Sequence, residues 1–274
     1  VYNRAMPLAE RPRAVVTGAG SGLGRAICLD LARRGARVVL SDVDLASAEE
    51  TAAMLGASAV RAVRCDVAKS DEVGALAAAC DDALGGVDLV VNNAGVAVSG
   101  RVGEIPLADW EWIIGVNLWG VVHGCHHFTP RLRAQGHGAI LNVASAAGLV
   151  SAPLMAPYSA TKAAVVALSE SLSGELAKTP ISVTVLCPTF FQTNIGHAAR
   201  GSTARTDALI EKLMKRASIQ ADGVARFALD AVAASELYAV PHADGRWMWR
   251  LKRATPAGFT AIAKRLASVG GFGG

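Results

Sequence analysis

The feature that most constrains this chain is a repeated alternation of short, apolar, β-branched runs with segments of helical periodicity, carried almost from the first residue to near Ser235. Parallel strands need crossover connections, and strand–helix alternation is how such connections read in a sequence. The runs are Ala14 to Thr17, Ala36 to Leu40, Ala59 to Val63, Val87 to Val91, Ala139 to Val143 and Ile181 to Leu186, lengths that suit fully buried strands. The first helical stretch sets Leu23, Ile27 and Leu31 at i, i+4, i+8 and stops at Gly35, a C-terminal glycine signal. Further helices are predicted over Ala46 to Leu55, Asp71 to Leu84, Asp109 to Arg133, Tyr158 to Lys178 and Asp222 to Ser235. The pattern predicts an α/β fold with a doubly wound parallel sheet.

No linker, repeat or low-complexity block interrupts this pattern, so one domain is expected over residues 13–240, after an N-terminal segment 1–12 and before a C-terminal extension 241–274. After Cys187 the chain mixes Pro, Gly, Ser, Thr and two adjacent Phe, and a short helix follows from about Thr206 to Ala217. This stretch, about 188–217, is expected to be a substrate lid of loop plus helix. Leu237 to Pro241 reads as a final strand, and the Trp- and Arg-rich, then Gly-rich remainder is expected to fray at its end.

Composition closes off several classes. With 52% hydrophobic and 18% charged residues the chain is too apolar for disorder, yet no run of about 18 uncharged apolar residues is present, so stable membrane insertion is not expected. Lys and Arg total 27 against 23 Asp and Glu, a mild excess spread along the chain except for Arg246, Arg250, Lys252, Arg253, Lys264 and Arg265. That is no nucleic-acid footprint. Cys28, Cys65, Cys80, Cys125 and Cys187 are odd in number, lack a CxxC pair and fall in apolar patterns, which argues against a disulfide framework and for a reducing compartment. The start VYNRAMPLAERPR lacks the apolar stretch of a secretory signal, with Met6 a candidate native start; a cytoplasmic location is the expectation.

The first strand runs into Thr17-Gly18-Ala19-Gly20-Ser21-Gly22-Leu23-Gly24 directly before a helix. A dinucleotide pyrophosphate needs bare backbone and a helix N-terminus at such a place, the arrangement of a Rossmann-type sheet. The spacing is Gly18, Gly22, Gly24 rather than a strict GxGxxG, and P-loop spacing with Lys-Ser/Thr is absent. A tight turn that binds nothing is the bland alternative. Asp42 closes the second strand, where an acid can accept hydrogen bonds from the adenosine ribose hydroxyls; this favours NAD(H), and no basic residue follows to welcome NADP(H). Its bland alternative is a helix N-cap, which Asp44 can supply as well.

Tyr158 and Lys162 lie at i and i+4 and share one helix face. A phenol ordinarily titrates near about 10, so acting near neutrality costs about 4 kcal/mol unless a fixed cation sits close by. Ser145 follows the strand Ala139 to Val143, at the carboxyl edge where doubly wound folds bind ligands, and can donate to a substrate oxygen. Taken singly, Ser145 also reads as a strand-end cap, Lys162 as a solvated helix residue and Asn117 as a polar residue inside a helix.

Taken together, these residues resemble the short-chain dehydrogenase/reductase family in its branch of roughly 250 residues. Thr17 to Gly24 is similar to the family's TGxxxGxG, Asp66 in Cys65-Asp66-Val67 to its adenine-contacting Asp, and Asn92-Asn93-Ala94-Gly95 to its NNAG strand end. Asn117, Ser145, Tyr158 and Lys162 fall on the Asn-Ser-Tyr-Lys tetrad, and the resemblance spans about residues 13 to 194. It implies that Tyr158 passes a proton to or from the reacting oxygen as hydride moves between substrate carbon and nicotinamide. Lys162 would hold nicotinamide-ribose hydroxyls and lower the Tyr158 pKa, Ser145 would polarise the reacting oxygen, and Asn117 would hold a relay water. The implied NAD(H) site comprises Gly18, Ser21, Gly22, Leu23, Gly24, Asp42, Asp66, Val67, Asn93, Ala94, Gly95, Tyr158, Lys162, Pro188, Phe191 and Thr193.

Two departures stand out: Pro188-Thr189 where the family carries Pro-Gly, and no Val-Asp-Gly-Gly near the C-terminus. The first leaves the loop's path open, and the altered C-terminus puts in doubt the second interface that builds tetramers in relatives, so a homodimer paired through the helices Asp109 to Arg133 and Tyr158 to Lys178 is expected ahead of a tetramer. The expected substrate lining is Val96, Val98, Ser145, Leu149, Val150, Leu154, Met155, Phe190 and Ile195, which suits an apolar small-molecule alcohol or ketone. A second reading, from another class, is an NAD(H)-binding sensor or scaffold without turnover; an NADP(H)-dependent ketoreductase is the alternative among enzymes. His123, His126 and His127 offer imidazoles on one helix face, but without an HExxH pattern a surface or interface role is expected and no metal. Trp110, Trp112 and Trp119 and the Trp247-Met248-Trp249 cluster are read as packing or subunit contact, with a peripheral membrane role as a lesser reading of the cluster.

Overall fold

In the computed structural model, which describes residues 11–192, 199–201, 212 and 214–269, seven parallel strands form one sheet in the order β3-β2-β1-β4-β5-β6-β7. The strands are β1 (Arg13–Thr17), β2 (Arg37–Asp42), β3 (Ala59–Arg64), β4 (Leu89–Asn92), β5 (Gly138–Val143), β6 (Ile181–Leu186) and β7 (Tyr238–Ala239). The order reverses direction between β1 and β4, which is the crevice where open α/β sheets take their ligands.

Successive side chains of a strand point to opposite faces, and both faces here are apolar. Val15, Val39, Val90 and Ile140 join one core with α3 (Ser70–Leu84), α5 (Gly120–Gln135) and α7 (Ala156–Glu175). Their neighbours Val16, Leu40, Val91 and Leu141 join the other, with α1 (Gly22–Arg33) and α8 (Ala221–Ala233). α2 (Leu45–Leu55) follows β2. Burial on both sides is why the strands read as continuous apolar runs. Gly35 takes φ +78°, the left-handed conformation that ends α1 where expected. All five cysteines are buried and free.

Two regions differ from expectation. The helix predicted over Asp109 to Arg133 is three pieces: α4 (Leu107–Ile114), a π-helical turn Gly115–Trp119 and α5. The C-terminal extension is helical, as α9 (Ala243–Ala254) and α10 (Pro256–Val269), while α6 (Ala146–Leu149) is a single short turn after β5. The predicted lid helix from Thr206, with most of the lid, lies outside the described residues.

Candidate active site

The glycine-rich turn is built for close backbone approach. A Cβ at Gly24 would overlap the Gly18 carbonyl oxygen, so only glycine lets α1 start this near the turn. Asn93 stitches the turn to the end of β4, its Nδ2 donating to the Thr17 and Gly18 carbonyl oxygens at 2.8 and 3.1 Å. In return the Thr17 hydroxyl accepts the Asn93 and Ala94 N–H groups at 3.1 and 3.2 Å. Thr17 was assigned no role from the sequence beyond its place in the motif; this link across the sheet is what gives it one. Ser21 begins α1 without a side-chain cap, and no acid occupies the first turn, so the positive end of the helix dipole keeps its N–H groups for an anion.

Asp42 sits beside this turn. Its Oδ2 accepts the Gly20 N–H at 2.9 Å and its Oδ1 the Asp44 N–H at 3.1 Å. The N-cap of α2 is Asp44, which accepts from Ala46 N at 3.1 Å, so Asp42 is spared that duty. Arg25 is held by the Gly20 carbonyl oxygen, by Thr51 Oγ1 at 2.9 Å and by Glu50 at 3.3 Å. At the end of β3, Asp66 Oδ1 accepts from Ala68 N at 3.1 Å and Val67 is buried.

Asn117 lies on the π-helical turn and is fully buried. Its side-chain amide holds the Val96 backbone from both sides, Oδ1 accepting from Val96 N at 2.8 Å and Nδ2 donating to Val96 O at 2.9 Å. It is therefore more than a polar residue inside a regular helix: a π turn pushes one residue out of the usual register, a device common at functional sites. A methyl group placed on Gly95 would lie 3.4 Å from both Asn117 Oδ1 and Lys162 Nζ, so the NNAG strand end is wedged between them.

Lys162 is 2% exposed, which removes the solvated-residue reading. Its Nζ donates to Val143 O at 2.9 Å and lies 5.8 Å from the centre of the Tyr158 ring. Burial lowers its pKa from 10.5 to about 8. Burial also raises the Tyr158 phenol above its ordinary value, and the hydrogen bond with Ser145 opposes this. The downward shift expected from Lys162 is not found: desolvation raises the phenol, and the effect that opposes it comes from Ser145. Ser145 is both partner and cap: it caps α6 by accepting from Ala147 N at 3.1 Å, and Ala146 N donates to Pro188 O at 2.8 Å. Below the pair, burial pushes the Cys187 thiol up to about 12, which keeps it neutral beside Lys162.

The expected substrate residues divide. Val98 is fully buried in a small cluster with Ile105 and Ile113, against which Val96, Trp110, Trp112 and Tyr158 pack. Leu149 and Val150 are buried in a sheet core, Leu154 and Met155 are half-buried, and Phe190 is 39% exposed. Leu154 adopts φ +63°, a left-handed conformation that costs a branched residue energy, and its carbonyl accepts from Gly100 N at 2.8 Å. Thr193 and Ile195 lie outside the described residues.

Residues of the extension that the sequence reading passed over hold this region together. His242 is buried; its Nδ1 accepts from Thr189 N at 3.3 Å and its Nε2 lies 3.0 Å from Ile219 O, with the Phe191 ring stacked on it at 6.3 Å. Thr189 Oγ1 donates to Asp244 Oδ1 at 3.2 Å, and Lys252 Nζ donates to Leu149 O at 2.8 Å. The unusual Thr189 therefore has partners of its own, none at a sequence spacing that a motif would disclose. His123 and His127 face Val67 O and Ser70 Oγ at 2.9 and 3.1 Å.

A seven-stranded parallel sheet covered on both faces, with a bare-backbone turn at its switch point, defines a Rossmann-type nucleotide-binding protein. Residues 12–203 match the short chain dehydrogenase family. A putative oxidoreductase, SadH, of Mycobacterium tuberculosis is 42% identical over 191 residues, 68% of this chain and 69% of that protein. The crystal structure of a short chain dehydrogenase/reductase from Burkholderia phymatum in complex with NAD is similar at a TM-score of 0.84 and 35% identity, over 90% of this chain and 94% of that one. A 3-ketoacyl-(acyl-carrier-protein) reductase from Brucella melitensis complexed with NADH is similar at 0.75 and 31%, over 84% and 95%. The chain belongs to the short-chain dehydrogenase/reductase family, and is an oxidoreductase acting on small molecules. Among the described residues no helix is long and apolar enough to cross a membrane.

Proposed function

We propose that this protein is an NAD(H)-dependent oxidoreductase that interconverts an apolar secondary alcohol and its ketone, with Tyr158 as the acid/base. The observation that carries the reading is the grouping of half-buried Ser145 and Tyr158 with buried Lys162, beside the carboxyl end of β5 and next to the cradle formed by Gly18 to Gly24. The cradle fits a dinucleotide: a bare turn, an uncapped helix start and an acid at the end of β2. Bound NAD(H) supplies a nicotinamide that takes hydride from, or gives it to, the substrate carbon.

The chain's own residues supply the rest. Ser145 orients and polarises the reacting oxygen. Tyr158 donates its phenolic proton to that oxygen in reduction and takes it back in oxidation. Lys162, desolvated and within reach of the phenol, offsets the rise that burial imposes on Tyr158 once its ammonium turns from Val143 O towards the site. Asn117 fixes Val96 and, through it, the strand end that carries Gly95. Val96 packs in one cluster with Tyr158, and Leu154, Met155 and Phe190, the other residues of the expected lining, keep apolar surface accessible, which favours an apolar substrate.

NAD(H) rather than NADP(H) is supported by Asp42 and Arg25. The Asp42 carboxylate, beside the glycine turn, would accept from a ribose hydroxyl, and Arg25, the nearest cation past the turn, is already tied to Gly20, Thr51 and Glu50. The reading includes a homodimer through the stretch from α4 to α5 and through α7, supported by Trp119 at the end of the π-helical turn, 52% exposed and stacked on His123 at 5.6 Å.

Tyr158→Phe tests the reaction. It is expected to abolish turnover on a panel of ketones followed by NADH absorbance, while NADH binding by fluorescence titration stays within about twofold. Wild-type protein that binds NADH yet turns over no carbonyl or alcohol on a broad panel would replace this reading by a sensor or scaffold.

A further inference from the structure

The extension 241–274 carries six basic residues and a single acid, Asp244, whereas the other 240 residues carry 21 basic and 22 acidic. The whole positive excess of the chain is therefore concentrated in two C-terminal helices that pack against each other. Within α9 the Trp247-Met248-Trp249 cluster splits. Met248 and Trp249 pack on the sheet core, Trp249 against Tyr238 at 4.8 Å, while Trp247 is 64% exposed. Trp247 shares the outer face of α9 with Arg250, one turn on. On α10, Ile262 and Lys264 are exposed as well.

The outward face cannot simply roll inward. Arg246 donates to Val240 O and Pro241 O at 2.7 and 2.8 Å, and Lys252 to Leu149 O at 2.8 Å, so α9 is fixed along its length with Trp247 pointing away. A helix that buries one apolar stripe in its own protein and presents an indole beside Arg250 on the other has the composition of a surface that rests at the headgroup level of a bilayer. An indole prefers that interface, and basic residues are drawn to an anionic leaflet. A nucleic acid would reward the charge but not an exposed Ile262.

We propose that the outer face of α9 and α10, centred on Trp247 and Arg250, docks on anionic membrane surfaces by charge and shallow insertion of the indole. The contact is peripheral and reversible, and it places the face that holds Leu149 and Thr189 on the membrane side of the molecule. It does not depend on which reaction the site performs.

The test is flotation of the whole protein with vesicles of phosphatidylglycerol and phosphatidylcholine in equal parts, and with phosphatidylcholine alone. Wild type is expected to float with the anionic vesicles only and to be released as salt rises. Each basic residue near an anionic surface is worth roughly fivefold in partition, so Arg250→Glu should weaken binding by roughly tenfold or more. Arg61→Glu, the same charge change on exposed β3, should leave it within about twofold. Trp247→Ser should weaken binding several-fold, and unfolding temperatures unchanged from wild type would verify that the variants are folded. Failure of wild type to float with anionic vesicles overturns the proposal. So does an equal effect of Arg250→Glu and Arg61→Glu, or light scattering in which Trp247→Ser turns a dimer into a monomer, which would make this face the seat of a second copy. Capture of duplex DNA or RNA in place of vesicles does the same.

Discussion

Lys252 Nζ donates to the Leu149 carbonyl oxygen at 2.8 Å, so a residue of the C-terminal extension closes the short helix that begins at Ser145. A half-buried ammonium on a helix C-terminal carbonyl is worth about 1.5–3 kcal/mol, because the alternative is an unpaired polar group. Lys252→Met keeps the apolar stem and removes the bond. It should lower stability by about that amount and lower kcat several-fold through Ser145, with NADH affinity unchanged, since the cofactor cradle lies on other elements. Thermal unfolding, steady-state kinetics and NADH titration together check this; a change confined to stability would limit Lys252 to a structural role.

Thr189 and Gly245 are fitted to each other. A Cβ on Gly245 would lie 2.8 Å from Thr189 Cγ2, a β-branched side chain already held by Asp244. Gly245→Ala should therefore cost about 1–3 kcal/mol. Thr189→Gly in the same chain should recover most of the loss, and a double-mutant cycle on urea midpoints measures the coupling. Additive losses would mean the contact yields without strain.

How much of this was legible in the sequence depended on whether a residue's partners were local. The strands were readable because both faces are buried, and Ile181–Leu186 lies where the run predicted it. Tyr158 with Lys162 and Gly18 with Gly24 are near neighbours in the chain, so short motifs, taken together in their order, could point to them. The π turn at Gly115–Trp119 gave no sign, as its residues are ordinary helix residues held out of register by Asn117 bonding to Val96. The helices of the extension were missed because Trp247-Met248-Trp249 is apolar on three consecutive residues and hides the helical period, although Met248 and Trp249 alone face the core. His242 and Asp244 reach Thr189 across more than 50 residues, a relationship only the folded chain contains.

Lys162 makes stability depend on pH in a definite direction. In the unfolded chain its ammonium holds its proton up to about 10.5, and in the folded protein only to about 8. Between those values the unfolded state binds more protons, so stability of the cofactor-free protein should rise as pH climbs from about 8 to about 10.5. Lys162→Met should lose that rise relative to wild type and be more stable near neutrality by about 1–3 kcal/mol, while turnover disappears. Denaturation midpoints collected across this range for both proteins test it, and parallel curves would contradict it.

On the proposed function, Asp42 beside the glycine turn gives the site a preference for NAD(H), and relative kcat/KM for the two cofactors tests this most directly. At about 4 Å and an effective dielectric near 20, a carboxylate facing a 2′-phosphate charge costs on the order of 4 kcal/mol before screening. Exposure leaves about 1.4 to 3 kcal/mol, a preference for NAD(H) of about tenfold to hundredfold in wild type. Asp42→Ala should shrink that preference at least tenfold by raising kcat/KM with NADP(H) and losing hydrogen bonds to NAD(H). Near-equal use of both cofactors by wild type, or an unchanged ratio in Asp42→Ala, would contradict the account.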